Sequence, residues 1–92
     1  MANKNIIKIR KELDKIDSTL LLVIKKRTIL VDKIVKLKKS KKEIVDKKRI
    51  NFILKKIKEK SIKLKIDPAI TLDIWKEMIK SFIRYEFKKI KK

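Results

Sequence analysis

The sequence predicts an all-α protein. Three observations predict it: apolar residues recur at intervals of three and four along most of the chain, Gly is absent, and the single Pro follows an Asp where a helix would begin. Without Gly the tight turns of a β protein lack their usual residue. Ninety-two residues allow one domain, expected over residues 1–92. At that size a self-sufficient core is marginal, so cover from a partner subunit is plausible.

The first helix is expected over about residues 5–39. Ile6, Ile9, Leu13, Ile16, Leu20, Val23, Leu30, Ile34 and Leu37 mark one stripe, with Arg27 in the gap between Val23 and Leu30. No breaker interrupts it, and at 1.5 Å per residue it would run about 50 Å. The polar stretch Lys39-Ser40-Lys41-Lys42-Glu43 then ends the pattern. A second helix is expected over about 46–62, with Asp46 as N-cap and Ile50, Ile53, Leu54 and Ile57 on its apolar face. The third, about 67–91, has a clearer start, because Asp67-Pro68 sets a cap before a first-turn proline. Ile70, Ile74, Trp75, Met78, Ile79, Phe82, Ile83 and Ile90 form its broad face; Trp75, Phe82 and Phe87 read as core aromatics rather than a stacking platform.

Two short helices cannot cover the apolar length of the long one. A second copy can, by pairing the long helices, so a homodimer is expected. A parallel coiled coil with a loose tail is the simpler alternative, but the apolar faces of the second and third helices argue against it.

Composition removes whole classes of chemistry. With neither Cys nor His there is no disulfide framework, no thiolate or imidazole metal site and no nucleophilic triad. Chemistry is left to carboxylates, cations and shape, and neither metal nor cofactor is expected. No apolar run reaches the length of a signal peptide or a membrane span, so a cytoplasmic location and no membrane partner are expected.

The net charge of +19 suggests an anionic partner. Yet the cations are nearly all Lys, which together with abundant Ile points to background composition on solvated faces. Against that background Arg10, Arg27, Arg49 and Arg84 stand out, because Arg grips a carboxylate with a planar fork.

The informative positions are charges on apolar faces. Arg27 and Lys38 are eleven residues apart, nearly whole turns, and share a face near Leu30, Val31, Ile34 and Leu37. Two cations on such a stripe suggest a dry pocket for a dianion; snorkelling stems with heads in water are the alternative, stronger for Lys38 near a helix end. Arg10 is a quarter turn off and too distant to meet the same small ligand in its own chain, but could meet one in an antiparallel partner. Asp46 and Arg49, three apart, could form a local ion pair. Glu86 lies on the apolar face of the third helix, either reaching water or buried and protonated, in which case it donates a hydrogen bond at neutral pH.

These positions resemble a family. The run Ile9-Arg10 through Ile16-Asp17, then Leu20-Leu21, Arg27 and Lys38, is similar to the first helix of the all-helical, AroQ-class chorismate mutases. Asp46 with Arg49, the turn Ile66-Asp67-Pro68, and Glu86 follow in register, so the similarity covers nearly the whole chain. The resemblance implies an intertwined homodimer of helical bundles with two active sites, each built from both chains. It implies that Arg10 reaches across from the partner, Arg27 binds a substrate carboxylate, Lys38 contacts the ether oxygen and a carboxylate, Arg49 supports the carboxylate end, Asp46 lies near the ring hydroxyl and Glu86 is the ether-oxygen donor. Ile34, Ile50 and Phe82 would form pocket wall. The implied reaction is the Claisen rearrangement of chorismate to prephenate in aromatic amino-acid biosynthesis, catalysed without nucleophile, metal or cofactor.

Two positions depart from that pattern. Ile50 stands where the family places a Glu that accepts from the ring hydroxyl, and Phe82 where it places a Ser. Both make that end more apolar and resemble the isochorismate-pyruvate lyase branch. That lyase and aminodeoxychorismate mutase are therefore the enzymatic alternatives. The alternative from another class is a basic helical nucleic-acid-binding dimer. It is disfavoured because Lys is spread around every helix and the Arg residues lie near apolar faces.

Overall fold

The computed structural model describes residues 3–91. Among them the order is α1 (Lys4–Leu37), a 3-10 turn (Lys41–Glu43), α2 (Lys47–Lys63) and α3 (Pro68–Lys89), with no strand. The all-α expectation holds, with one helix much longer than the others. The chain divides into two compact units, Met1–Val31 and Asp32–Lys92.

The first unit is α1 up to Val31. Asn3 Oδ1 accepts from the Asn5 N–H at 2.8 Å and satisfies one of the donors a helix start leaves open. Ser18, Thr19 and Thr28 turn their hydroxyls back to the carbonyls of Asp14, Lys15 and Ile24. The apolar stripe is exposed: Ile9 is 55% accessible, Ile16 56% and Leu20 52%.

In the second unit, α1 stops two residues short of the expected end, and Glu43 is the reason. The Lys38 N–H still reaches back to Ile34 and Val35 carbonyls, but the Lys39 and Ser40 N–H groups turn forward to the Glu43 carboxylate. A side chain three residues beyond a Ser thus takes the donors that would have continued the helix. The turn buries Ile44, an apolar residue outside every periodic stripe.

α2 and α3 are the helix pair that approaches closely. Asp46 caps α2 by accepting from the Arg49 N–H at 3.0 Å, and Asp67 caps α3 by accepting from the Ala69 N–H at 2.9 Å with Pro68 at the first turn. Both caps fall where expected, so each helix begins one residue after its cap. Between the helices, buried Ser61 shares a 2.6 Å hydrogen bond with Thr71 and also donates to the Ile57 carbonyl. α2 ends in a Schellman turn: Ile66 N–H bonds Ser61 O and Lys65 N–H bonds Ile62 O. Such a turn needs a left-handed residue, and Lys65 adopts φ 58° in a chain with no Gly.

The core of this unit is small. Val35, Ile44, Ile79 and Ile90 are its buried apolar residues, with Trp75, Met78, Phe82 and Ile83 half-buried on α3. Phe87, expected in the core, is 44% exposed, because one position after Glu86 it falls off the face that meets the rest of the unit. α3 ends at Lys89, where Ile90 turns to extended backbone and is buried, two residues before the expected end. The last turns of α1 meet α3 through side chains: Tyr85 Oη donates to Asp32 Oδ1 at 2.6 Å, and Lys38 Nζ donates to Glu86 Oε1 at 2.7 Å.

Two outcomes are expected from this packing. Lys65→Gly should stabilise the chain by about 1 kcal/mol by removing the left-handed strain, read as a higher midpoint in thermal unfolding; a lower midpoint would contradict the Schellman turn. Tyr85 is the sole tyrosine. Its hydrogen bond to Asp32, then burial and the Asp32 charge, hold its hydroxyl proton above the ordinary tyrosine range. The native state therefore keeps this proton longer than the unfolded chain. The associated stability is present in full below the ordinary range near pH 10 and is lost as pH rises through the raised one. Phenolate absorbance should titrate above that range in the native protein and nearer to it in Asp32→Asn.

Candidate active site

Lys38 follows directly after the last residue of α1, and Glu86 lies in the last turn of α3. Both side chains are largely enclosed, 18% and 11% accessible, and their contact is an ion pair as well as a hydrogen bond. A charge-assisted bond of this kind is short and strongly oriented, although desolvation of the two enclosed charges offsets much of its attraction. The sequence reading allowed Lys38 to be a snorkelling helix-end lysine; instead its ammonium is turned onto α3. Glu86 is buried, as one branch of that reading held, but it accepts from Lys38, whereas the expected donor role needs a carboxyl proton.

Beside this pair lies an open hollow of about 610 Å³. Ile34 and Leu37 give it an apolar wall from α1, Lys38 stands at the edge, and Lys42, Asp46, Lys47 and Lys48 bring further charge from the 3-10 turn and the start of α2. Four lysines against Glu43 and Asp46 make the hollow cationic. One oxygen of Asp46 is committed to capping α2. Asp46 and Arg49, which could have formed a local ion pair, meet instead through the Arg49 backbone N–H. The Arg49 guanidinium lies over the Phe52 ring, 5.5 Å from its centroid.

Ile50 and Phe82 are half-buried and lie outside the lining of the hollow. Phe82 packs edge-on against Tyr85, ring centroids 6.3 Å apart at 82°. Arg10, exposed, and Arg27, half-buried, stand on α1 in the first unit. Arg27 is less accessible than Val23 at 53% and Leu30 at 57%, an inversion of the usual order for a cation between apolar neighbours.

Sequence reasoning missed Asp32 and Tyr85, whose bond lies next to the Lys38–Glu86 pair. The available signals were slight. Asp32 is the sole acid in the second half of α1, and Tyr85 precedes Glu86 directly. Lys42, Lys47 and Lys48 were hidden for another reason, since in a chain so rich in Lys their position at the hollow has no sequence mark.

No helix among the described residues is long and apolar enough to cross a membrane. No curated protein and no solved structure matches the chain significantly. A family model does: chorismate mutase type II, over residues 9–87. That span runs from the residue before Arg10 to the residue after Glu86 and takes in most of α1, all of α2 and most of α3 in order, so the chain belongs to the chorismate mutase type II family, whose activity is an isomerisation.

Proposed function

We propose that the chain converts chorismate to prephenate at sites shared between two copies, and that Lys38 is the central catalytic residue. The observation that carries this reading is Lys38 itself, which is among the residues lining a cationic hollow and whose ammonium is already oriented by an acceptor on another helix. In the rearrangement the ether C–O bond breaks as a C–C bond forms, with no atom gained or lost. The enzyme's task is to hold the enolpyruvyl arm folded over the ring and to stabilise negative charge growing on the ether oxygen.

In this proposal Lys38 turns from Glu86 to the ether oxygen, and Glu86, once it holds a proton, donates to the same oxygen. Arg27 binds one carboxylate of the dicarboxylate substrate, Arg49 supports the carboxylate end, and Arg10 arrives from the partner. Asp46, with one oxygen not used in capping, serves the ring hydroxyl, and Ile34 walls the hollow; Ile50 and Phe82, outside the lining of the hollow in a single chain, would wall the site shared by two copies. The dimer is supported by the exposed stripe of α1, since monomers seldom leave contiguous apolar patches larger than a few hundred Å². A cytoplasmic setting belongs to the same proposal, and no cofactor takes part in it.

A second enzymatic reading rests on one observation: at Ile50 an apolar, half-buried side chain stands where the ring-hydroxyl acceptor of the mutase pattern is expected. Isochorismate carries its hydroxyl elsewhere on the ring, so the same cations could serve isochorismate-pyruvate lyase chemistry. An amino analogue of chorismate is a related alternative. Purified protein assayed with chorismate and with isochorismate separates the readings. Prephenate as the main product supports the mutase; salicylate with pyruvate moves the chain to the lyase branch; neither product from either substrate sinks both.

Three outcomes test the roles. Lys38→Ala and Arg27→Ala should each lower kcat/KM by about 10²–10³ while the protein stays helical and dimeric; unchanged turnover in both would remove the site assignment. Glu86→Gln, which carries a permanent N–H donor, should keep most activity, whereas Glu86→Ala should lose about 10²; equal loss in the two would deny Glu86 a donor role. Sedimentation at micromolar concentration should give a dimer, and a stable folded monomer would overturn the shared site.

A further inference from the structure

We propose that Tyr85 and Asp32 form a positioning couple that holds α3 against the end of α1 while Lys38 leaves Glu86 for the substrate. This deepens the mutase reading and rests on it. α2 and α3 pack closely together, but the last turns of α1 reach α3 through side chains, and two of those links are polar: Lys38 to Glu86 and Tyr85 to Asp32. They end on adjacent residues of α3 and on positions six apart near the end of α1.

The two links differ in one respect that matters for turnover. Lys38–Glu86 occupies the groups that the ether oxygen must meet, so it has to open in every catalytic cycle. Tyr85–Asp32 involves no group assigned to substrate and can persist throughout. It is also well held. Phe82 packs edge-on against the Tyr85 ring, and Lys89 Nζ lies over it, 5.6 Å from the centroid. The Oη···Oδ1 distance of 2.6 Å is that of a hydroxyl on a carboxylate, the strong class of hydrogen bond. The raised proton affinity of the hydroxyl agrees with that geometry. When Lys38 turns away, Tyr85 keeps Glu86 at the distance from which both groups can close on one oxygen. Misplacement by about 1 Å can cost up to 10²-fold in rate, so the couple matters for chemistry more than for binding.

The test pairs kinetics with a readout that needs no turnover. Tyr85→Phe removes the hydroxyl and keeps the ring, and should lower kcat with chorismate about tenfold, with KM changed less than twofold and the circular dichroism of the wild type retained. Asp32→Ala should match it, and the double variant should be no worse than either single one. Asp32→Asn keeps an acceptor oxygen and should restore most of kcat. Independently, the Lys38 ammonium protons, assigned by their loss in Lys38→Arg, should exchange with solvent faster in Tyr85→Phe than in the wild type, because the Lys38–Glu86 pair loosens. Wild-type kcat in Tyr85→Phe, or additive losses in the double variant, would overturn the couple. If the wild type fails to turn over chorismate, the mutase reading fails separately. The exchange measurement then decides whether Tyr85 holds Glu86 on Lys38, and unchanged exchange overturns that claim.

Discussion

α1 has more apolar length than its own chain can cover. It runs 34 residues, about 50 Å, against 17 for α2 and 22 for α3. Leu13, Ile16, Leu20 and Leu21 remain at least half accessible, while the buried apolar residues, Val35, Ile44, Ile79 and Ile90, all belong to the unit that begins at Asp32. Covering a Leu or Ile fully is worth roughly 1.5–3 kcal/mol, so a stripe of this length is a large unused reserve of stabilisation. In the proposed dimer that reserve drives association, and the site inherits the result. A helix that must pair with its copy can carry an Arg near its start that serves the neighbour's substrate, which is the role assigned to Arg10.

The second unit solves a different problem. Its buried apolar core is small, Val35, Ile44, Ile79 and Ile90, and in the proposed mutase the substrate needs charge in the same place. Lys38 and Glu86 join two helices, and in the proposed mutase the same pair would store a cation where the ether oxygen is stabilised. An enclosed ion pair is a poor source of net stability, because desolvation offsets much of the attraction. Its value lies in orientation: a lysine stem with several rotatable bonds is held in one direction before substrate arrives. A link that opens during turnover cannot also be the sole polar fastening, and Tyr85 with Asp32 answers that.

The parts legible in the sequence were those written in local rules. Asp46 and Asp67-Pro68 announced the two short helices because a cap and a first-turn proline act within a few residues. Arg27 stood out because a cation inside an apolar stripe breaks a period. The parts that stayed hidden depend on distant partners. Glu43 ends α1 by folding back on Lys39 and Ser40, and its sequence context reads equally well as a solvated loop. Ile44 is buried by that turn, not by any helical period. Lys65 takes a left-handed conformation that a Gly would have advertised. Phe87 was placed in the core on hydrophobicity alone, and one step of 100° around α3 exposes it. At the site, Tyr85 and Asp32 are 53 positions apart, and nothing local connects them.

Arg49, proposed to support the carboxylate end of the substrate, is exposed and held without burial. Its guanidinium rests on Phe52, an aromatic that is 51% exposed, and Lys56 approaches the same ring at 5.8 Å. Cation–π contact at such an exposed site is worth about 0.5–1 kcal/mol, whereas a hydrogen bond between charged partners is worth about 1.5–3. In the proposed site a substrate carboxylate would replace Phe52 at the guanidinium, and the resting contact restricts the rotamers of Arg49. Lys56 would serve poorly in that role, because an ammonium offers no fork and grips a carboxylate at one point. In the proposed site the contact with Phe52 would thus orient Arg49 before substrate arrives and release it to a carboxylate afterwards.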